Sequence, residues 1–176
     1  MMKKTIFLLA FVICSTYSFS QGSLYGIRAG LNISNLDFEP SPIFDNTHRN
    51  GFAIGFFGEY DVSKSVAIAP EIQFSAEGAK DKDLRIDYIQ IPILMKYRFG
   101  ERFSVGAGPM AGVKVWEHED GYKNFAFSVV GGLEFFVTSD IFIDARYHYG
   151  FTNVLDDESA FEAKNSNIQI GVGVKI

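Results

Sequence analysis

The sequence has little cysteine, no apolar run long enough to span a bilayer, and no basic patch. Cys14 is the one cysteine among 176 residues, and it lies in an N-terminal segment that we expect to be removed. The rest of the chain then has neither a disulfide nor a thiolate metal site. We therefore expect no metal and no cofactor. We expect no nucleic-acid partner either, because the formal net charge is −5.

The first 20 residues have the organisation of a secretory signal peptide. Two lysines precede the apolar run IFLLAFVI, and the segment ends in Ser-Phe-Ser, with small residues where a signal peptidase requires them. The run is too short for a membrane helix, which needs about 20 apolar residues. We predict a signal peptide over residues 1–20 with cleavage before Gln21, and a single outer-membrane β-barrel domain over residues 21–176.

Charge is absent from one of the two faces of the predicted strands. Eight segments alternate with the period of two that is typical of β-strands, and in register one set of positions carries no charged residue. The opposite set carries charges of both signs. An apolar outside and a charged inside are typical of a barrel in lipid. The predicted strands are Tyr25–Ser34, Phe52–Val62, Val66–Glu77, Tyr88–Phe99, Phe103–Val115, Phe125–Val137, Ile141–Phe151 and Asn167–Ile176.

These strands predict an all-β fold, an eight-stranded antiparallel up-and-down transmembrane β-barrel. The connections alternate between short and long, and short turns are typical of the periplasmic side. We therefore expect both termini in the periplasm and the longer loops outside the cell. Pro70, Pro92 and Pro109 lie within predicted strands, where each removes a ladder hydrogen bond. We expect bulges or local breaks at these prolines.

The inward positions predict a lumen filled by paired charges. An eight-stranded barrel is just wide enough for its side chains to fill the interior, and unpaired charges would be costly there. A narrow water path beside the inner-face glycines is the alternative. The residues that we assign to a lumen charge network are Arg28, Glu59, Glu71, Lys96, Arg98, Lys114, Glu134, Asp144, Arg146, His148 and Lys175, and Asp61 and Glu77 also point inward.

Surplus negative charge lies in the predicted outer loops, including the cluster Asp156, Asp157 and Glu158. A solvated rim is one interpretation. The functional interpretation is contact with a basic partner, or bridging by divalent cations to lipopolysaccharide, since calcium favours carboxylate oxygens. The cluster lacks the spacing of a known calcium loop.

The histidines offer a weak case for catalysis. His148 lies four residues from Asp144 on the same face, and an imidazole held by a carboxylate is part of a catalytic triad. A lipid-modifying enzyme would also need a nucleophile on the lipid side, and no serine is clearly placed there. We expect a structural histidine and no enzymatic activity.

Four segments resemble the PorT-like small outer-membrane β-barrel proteins, a family with an outer membrane protein beta-barrel domain. They are GIRAGLN (26–32), YIQIPILMKY (88–97), GAGPMAG (106–112) and DARYHYGFTN (144–153). The resemblance covers essentially the whole mature chain. It implies an outer-membrane barrel of about eight strands, and for the named member a part in type IX secretion. The last seven residues, IGVGVKI, resemble a signal for the barrel-assembly machinery.

Three functional hypotheses follow. The first is a non-enzymatic envelope scaffold or adhesion module that acts through acidic extracellular loops. The second is an accessory component of type IX-like protein secretion, and the third is a lipid-modifying enzyme. The expected partners are outer-membrane lipids and lipopolysaccharide, the assembly machinery during insertion, and a secretion or surface protein. A soluble ligand-carrying barrel conflicts with the uncharged outer face.

Overall fold

Eight long strands make up nearly all of the ordered secondary structure. The computed structural model describes residues 23–41, 46–116, 121–156 and 162–176, so the predicted signal peptide lies outside the described residues. The strands are β1 (Ser23–Glu39), β2 (Arg49–Asp61), β3 (Val66–Gly78), β4 (Arg85–Phe99), β5 (Phe103–Val115), β6 (Phe125–Phe136), β7 (Ile141–Gly150) and β8 (Glu162–Lys175).

The strands form one closed barrel in sequence order. Each pairs antiparallel with its neighbours, and β8 pairs with β1 to close the sheet. Closure leaves no unpaired sheet edge, which is what a sheet in lipid requires. The predicted fold class is therefore confirmed. A single 3₁₀ turn, Lys82–Leu84, lies between β3 and β4. In the described part of the chain, no helix is long and apolar enough to cross a membrane.

The side chains alternate along the strands as the sequence predicts. Outward residues such as Leu31 and Met95 are 70% and 63% exposed, whereas the inward Arg28 is 1% exposed. Aromatic rings concentrate near both ends of the outer wall, as in the interfacial girdles of membrane barrels. Near the short turns they include Tyr25, Tyr60, Tyr97, Phe99 and Phe103, and near the other end Phe52, Trp116, Phe125, Tyr149 and Phe151.

The three strand prolines interrupt the ladder without changing its register. The β2–β3 pairing stops at Phe57 opposite Glu71 and resumes at Tyr60 opposite Ile68, on either side of Pro70. Similar gaps occur beside Pro92 and Pro109 in the next two ladders. A missing N–H donor explains each gap. The predicted local breaks are confirmed, and because the register continues unchanged, none of the three is a bulge.

Four strands extend farther outward than the sequence predicts. β1 continues to Glu39 and pairs with β8 as far as Glu162, while β2 begins at Arg49 and β4 at Arg85. In these extensions the polarity reverses, since Leu36 points inward and is buried while Asp37 is exposed. We infer that the wall has left the lipid here, because an apolar inside with a polar outside is the pattern of a sheet in water. Because the prediction relied on apolar outer faces, it ended these strands too early.

Candidate functional site

The charges near the short-turn end of the lumen converge on one carboxylate. Glu59 on β2 accepts hydrogen bonds from Lys96 Nζ at 3.1 Å, Arg98 Nη2 at 2.5 Å and Lys175 Nζ at 3.0 Å. Arg98 also donates to Asp61 at the rim. The three cations come from β4 and β8, so Glu59 joins three strands across the interior.

A second group of charges lies deeper in the barrel. Arg28 Nη2 and Nε donate to the two carboxylate oxygens of Asp144 at 2.6 and 3.0 Å, which is the bidentate geometry that favours arginine. Arg146 Nη1 donates to Glu71 at 2.8 Å. Lys96 lies 2.6 Å from Glu134 and joins this group to the carboxylate of Glu59.

The two groups form one connected and electrically neutral set, which we call the inner ion network. It contains five cations and five carboxylates, each paired within 4 Å. Its members are Arg28, Lys96, Arg98, Arg146, Lys175, Glu59, Asp61, Glu71, Glu134 and Asp144. Desolvating a charge costs several kcal/mol unless partners compensate. Equal numbers of the two signs meet that requirement.

Neutral donors replace cations around Glu77. Its carboxylate accepts hydrogen bonds from Ser75 at 2.6 Å and Gln90 at 2.9 Å, and from Asn165 and Asn167. Side-chain amides from β4 and β8 therefore satisfy the buried carboxylate of Glu77. The charge pattern alone predicts that cations would do so. The inward Asn and Gln positions carry the signal for this arrangement, which the pattern of charges alone does not contain.

Two residues assigned to the charge network have other surroundings. Lys114 Nζ donates to the backbone oxygen of Tyr122 at 3.2 Å and lies over its ring. His148 is buried, and within the described residues neither of its ring nitrogens has a hydrogen-bond partner. Asp144 is engaged by Arg28 instead. The Asp144–His148 pair that a triad would require is therefore not formed.

Apolar groups close the outer end of the lumen and pack among the charges at its other end. At the outer end, Leu36, Ile86, Tyr122, Val154 and Ala163 belong to one buried cluster, which we call the outer cap. The Tyr122 hydroxyl donates to the backbone oxygen of Asp83 at 2.7 Å, and Val154 N to that of Ala163 at 2.8 Å. These bonds fix two loop residues over the mouth.

Phenylalanines fill the opposite end. The ring centroids of Phe57 and Phe142 are 5.7 Å apart, and those of Phe136 and Phe142 are 5.9 Å apart. Lys175 Nζ lies 4.4 Å from the Phe136 centroid, within cation–π distance. The inward aromatic residues therefore pack against the inner ion network and supply part of the environment of its cations.

Little space remains between these layers. One lumen cavity, beside Glu77 and His148, has a volume of about 20 Å³, and another, beside Lys96 and Arg146, has about 10 Å³. A water molecule needs roughly 10–15 Å³ by this measure. Each of these two cavities therefore has room for about one water molecule, which is far less space than a continuous water path would need.

The acidic loop cluster is only partly described. Asp156 N donates to the backbone oxygen of Gly121 at 3.0 Å, whereas Asp157 and Glu158 lie outside the described residues. Within the described ranges, no group of three or more His, Asp or Glu residues is placed to hold a metal ion.

Comparison with known proteins places the chain in a family. Residues 6–175 match the family described as outer membrane protein beta-barrel domain. The chain belongs to this family. The barrel is accordingly an integral outer-membrane protein, and its girdles and charge-free wall suit that location. No curated protein sequence matches the chain.

Solved structures agree on the fold of this outer-membrane barrel. The crystal structure of Ail, the attachment invasion locus protein of Yersinia pestis, is 16% identical with a TM-score of 0.56, covering 88% of this chain and 99% of that one. Neisserial surface protein A is 14% identical with a TM-score of 0.57, covering 89% and 100%. At such low identity, the similarity shows a shared eight-stranded barrel and nothing about ligands.

Proposed function

We propose that this outer-membrane barrel is a non-enzymatic envelope scaffold or adhesion module that acts through its extracellular loops. The observation that carries the proposal is the filled lumen, with the outer cap above the inner ion network and phenylalanines packed among its charges. A barrel with no open interior can engage partners only at its rims or outer wall. The longer connections all lie at one end, so that end offers the larger surface.

The same proposal includes the orientation and processing of the chain. We infer that residues 1–20 are cleaved as a signal peptide and that both termini lie in the periplasm. The three short turns beside the termini support this orientation, since periplasmic turns are short in such barrels. Mass spectrometry of the mature N-terminus would show Gln21 as the first residue. A retained leader would contradict the cleavage.

The acidic cluster supplies a matched test of loop function. We expect Asp156→Asn/Asp157→Asn/Glu158→Gln to weaken attachment of cells to a cationic surface or basic protein partner. The control is Asp140→Asn/Glu101→Gln, which removes carboxylates from the short turns at the opposite end. Equal attachment by both variants and the wild type would contradict a role for the cluster, provided that surface display is equal.

A secretion role is the second candidate, favoured by the PorT-like segments 26–32 and 88–97. We propose testing it in a deletion strain by comparing proteins in the medium, outer membrane and periplasm. Secreted cargo retained in the periplasm would favour an accessory function in type IX-like export. Unchanged export would leave the scaffold or adhesion function as the proposal. The turns beside the termini are too short to offer a large docking surface on that side.

A lipid-modifying activity has the least support. His148 would be its general base, but its ring is buried among lumen residues and Asp144 binds Arg28. Unchanged lipid A composition in a His148→Ala strain is the expected result.

A further inference from the structure

Basic side chains lie just above the apolar belt of the outer wall, beside the outer ends of β2, β3 and β4. The last apolar row is formed by Phe52 on β2, Phe74 on β3 and Ile89 on β4. The ring centroids of Phe52 and Phe74 are 5.4 Å apart. Beyond them the outward positions become polar, and His48 and Arg85 are both exposed. The change coincides with the reversal of polarity by which the wall leaves the lipid.

These residues lie just beyond the level of the lipid head groups. Arg85 lies four residues beyond Ile89, and His48 four beyond Phe52, which is about 13 Å along a strand at roughly 3.3 Å per residue. With a strand tilt of about 40°, this is about 10 Å along the membrane normal. Head groups occupy about 5–7 Å beyond the hydrocarbon on each side. The Cα atoms of His48 and Arg85 therefore lie a few ångströms beyond the head groups, and the long Arg85 side chain is able to extend back to them.

Backbone hydrogen bonds arrange these residues around a concave surface, which we call the rim groove. Its volume is about 500 Å³, and its lining is formed by Thr47, His48, Arg49, Asn50, Lys80 and Arg85. Lys80 N donates to the Thr47 backbone oxygen at 2.9 Å, and Arg85 Nη2 donates to that of Lys80 at 3.3 Å. The start of β2, the end of β3 and the start of β4 thus hold the groove open.

Two of its cations have no anionic partner among the described residues. Arg49 is engaged by Asp87 at 2.9 Å, but Lys80 and Arg85 form no ion pair in that part of the chain. The neighbouring Asp81 carboxylate accepts from Asp83 N within the 3₁₀ turn. In an acidic protein, two adjacent uncompensated cations beside exposed hydroxyl and amide groups form a site suited to a multivalent anion.

We propose that the rim groove binds a phosphate monoester. A guanidinium offers paired donors to phosphate oxygens and an ammonium supplies a compact charge, so Arg85 and Lys80 are the principal ligands. Thr47 and Asn50 are available as neutral donors. The phosphate belongs to a lipid of the outer leaflet or to a soluble sugar phosphate. This inference depends on the outer-membrane location and not on the proposed scaffold or adhesion function.

The test uses the full mature chain, refolded in phosphatidylcholine nanodiscs that contain either bis-phosphorylated or dephosphorylated lipid A. Native mass spectrometry counts the lipid A molecules retained after detergent exchange. We expect Lys80→Gln/Arg85→Gln to lower retention of the phosphorylated lipid by about tenfold, because two charged contacts are lost. The control Lys64→Gln/Arg102→Gln removes the same charge from the short-turn end and should match the wild type. Heat-modifiable gel migration verifies that each variant is folded. If the double variant misfolds, the single variants Lys80→Gln and Arg85→Gln are measured in its place.

A second arm adds glucose 1-phosphate and so separates the two sources. Loss of retention in the groove variant without competition by glucose 1-phosphate assigns a lipid phosphate. Competition that disappears in the groove variant assigns a soluble phosphate. Equal retention of both lipids by the wild type, together with no competition, would overturn the proposal, as would equal losses in both double variants. A conducting lumen or altered protein export would contradict the proposed function and leave these counts unaffected.

Discussion

Replacing Glu59 by glutamine should destabilise the barrel more than any other single loss of a lumen carboxylate. Glu59 is 1% exposed and accepts from three cations on two strands. Glutamine keeps the shape but turns an acceptor into an N–H donor facing those cations. Lys96, Arg98 and Lys175 would then share Asp61 and Glu134, so the inner ion network would carry one excess positive charge.

The contacts of Glu59 set the expected magnitude. It accepts four hydrogen bonds, and each bond to a charged group contributes about 1.5–3 kcal/mol. Their sum overstates the loss because the cations can relax toward the remaining carboxylates. Removing one partner of a buried pair costs about 3–5 kcal/mol in measured cases. We expect the free energy of unfolding to fall by that amount.

The single tryptophan provides the assay. Trp116 is 69% exposed on the outer surface at the end of β5, so its emission should shift to the red when unfolding moves it into water. Urea titration in phosphatidylcholine vesicles then gives the free energy of unfolding. Asp61→Asn is the control, because this rim carboxylate is partly exposed and pairs with Arg98, and a loss within about 1 kcal/mol is expected.

A double variant tests whether the lost charge balance causes the lower stability of Glu59→Gln. Glu59→Gln/Lys175→Gln restores equal numbers of cations and carboxylates. The double variant should lose less free energy of unfolding than Glu59→Gln and Lys175→Gln lose together. The difference should be about 0.5–3 kcal/mol, the range for residues in one network. A loss below about 1 kcal/mol for Glu59→Gln, or strictly additive losses, would refute the reasoning.

Three further substitutions test the wall and its packing, each by the same urea titration. Leu36→Ala empties part of the outer cap and should cost about 2–5 kcal/mol; a loss under 1 kcal/mol would show that the cap is not packed. Ile170→Arg places a charge on the lipid face and should cost about 2–4 kcal/mol near the midplane, whereas a neutral effect would mean that this face meets water. Gly173→Ala brings a Cβ within 2.2 Å of the Phe142 ring and should cost about 1–3 kcal/mol; full stability would mean that the ring moves aside freely.

The membrane-spanning part of the fold could be predicted because lipid imposes a simple rule on every strand. One apolar face repeats with period two, and the uncharged rows from Tyr25 to Ile33 and from Ile168 to Val174 are indeed exposed on the outer wall. Outside the lipid, the outward face of a strand no longer has to be apolar. Leu36 and Ala163 therefore belong to strands that the lipid pattern ended too soon.

The partners within the lumen could not be predicted from spacing along one strand. Same-face residues four apart on a strand lie about 13 Å from each other, so Asp144 and His148 are too distant to pair directly. Arg28 on β1 reaches Asp144 on β7 over the intervening strand β8, although the two residues are 116 positions apart in sequence. That contact depends on closure, register and the curvature of the wall, none of which alternation encodes.

The rim groove could not be predicted from the sequence for a related reason. Its cations lie in the connection after β3 and at the starts of β2 and β4, separated by as many as 36 positions between Arg49 and Arg85. Counting loop charges gives a net acidic rim, and that total conceals a local basic surface. Only the pairing of β2, β3 and β4 brings these residues together.

Planar-bilayer recording tests the central claim most directly, since the account depends on a closed lumen. The refolded mature protein should insert without producing stable conductance steps, because in the described part of the chain the outer cap, the inner ion network and the phenylalanines fill the lumen. Glu59→Gln should remain closed while less stable. Reproducible single-channel steps from the folded wild-type protein would contradict the account.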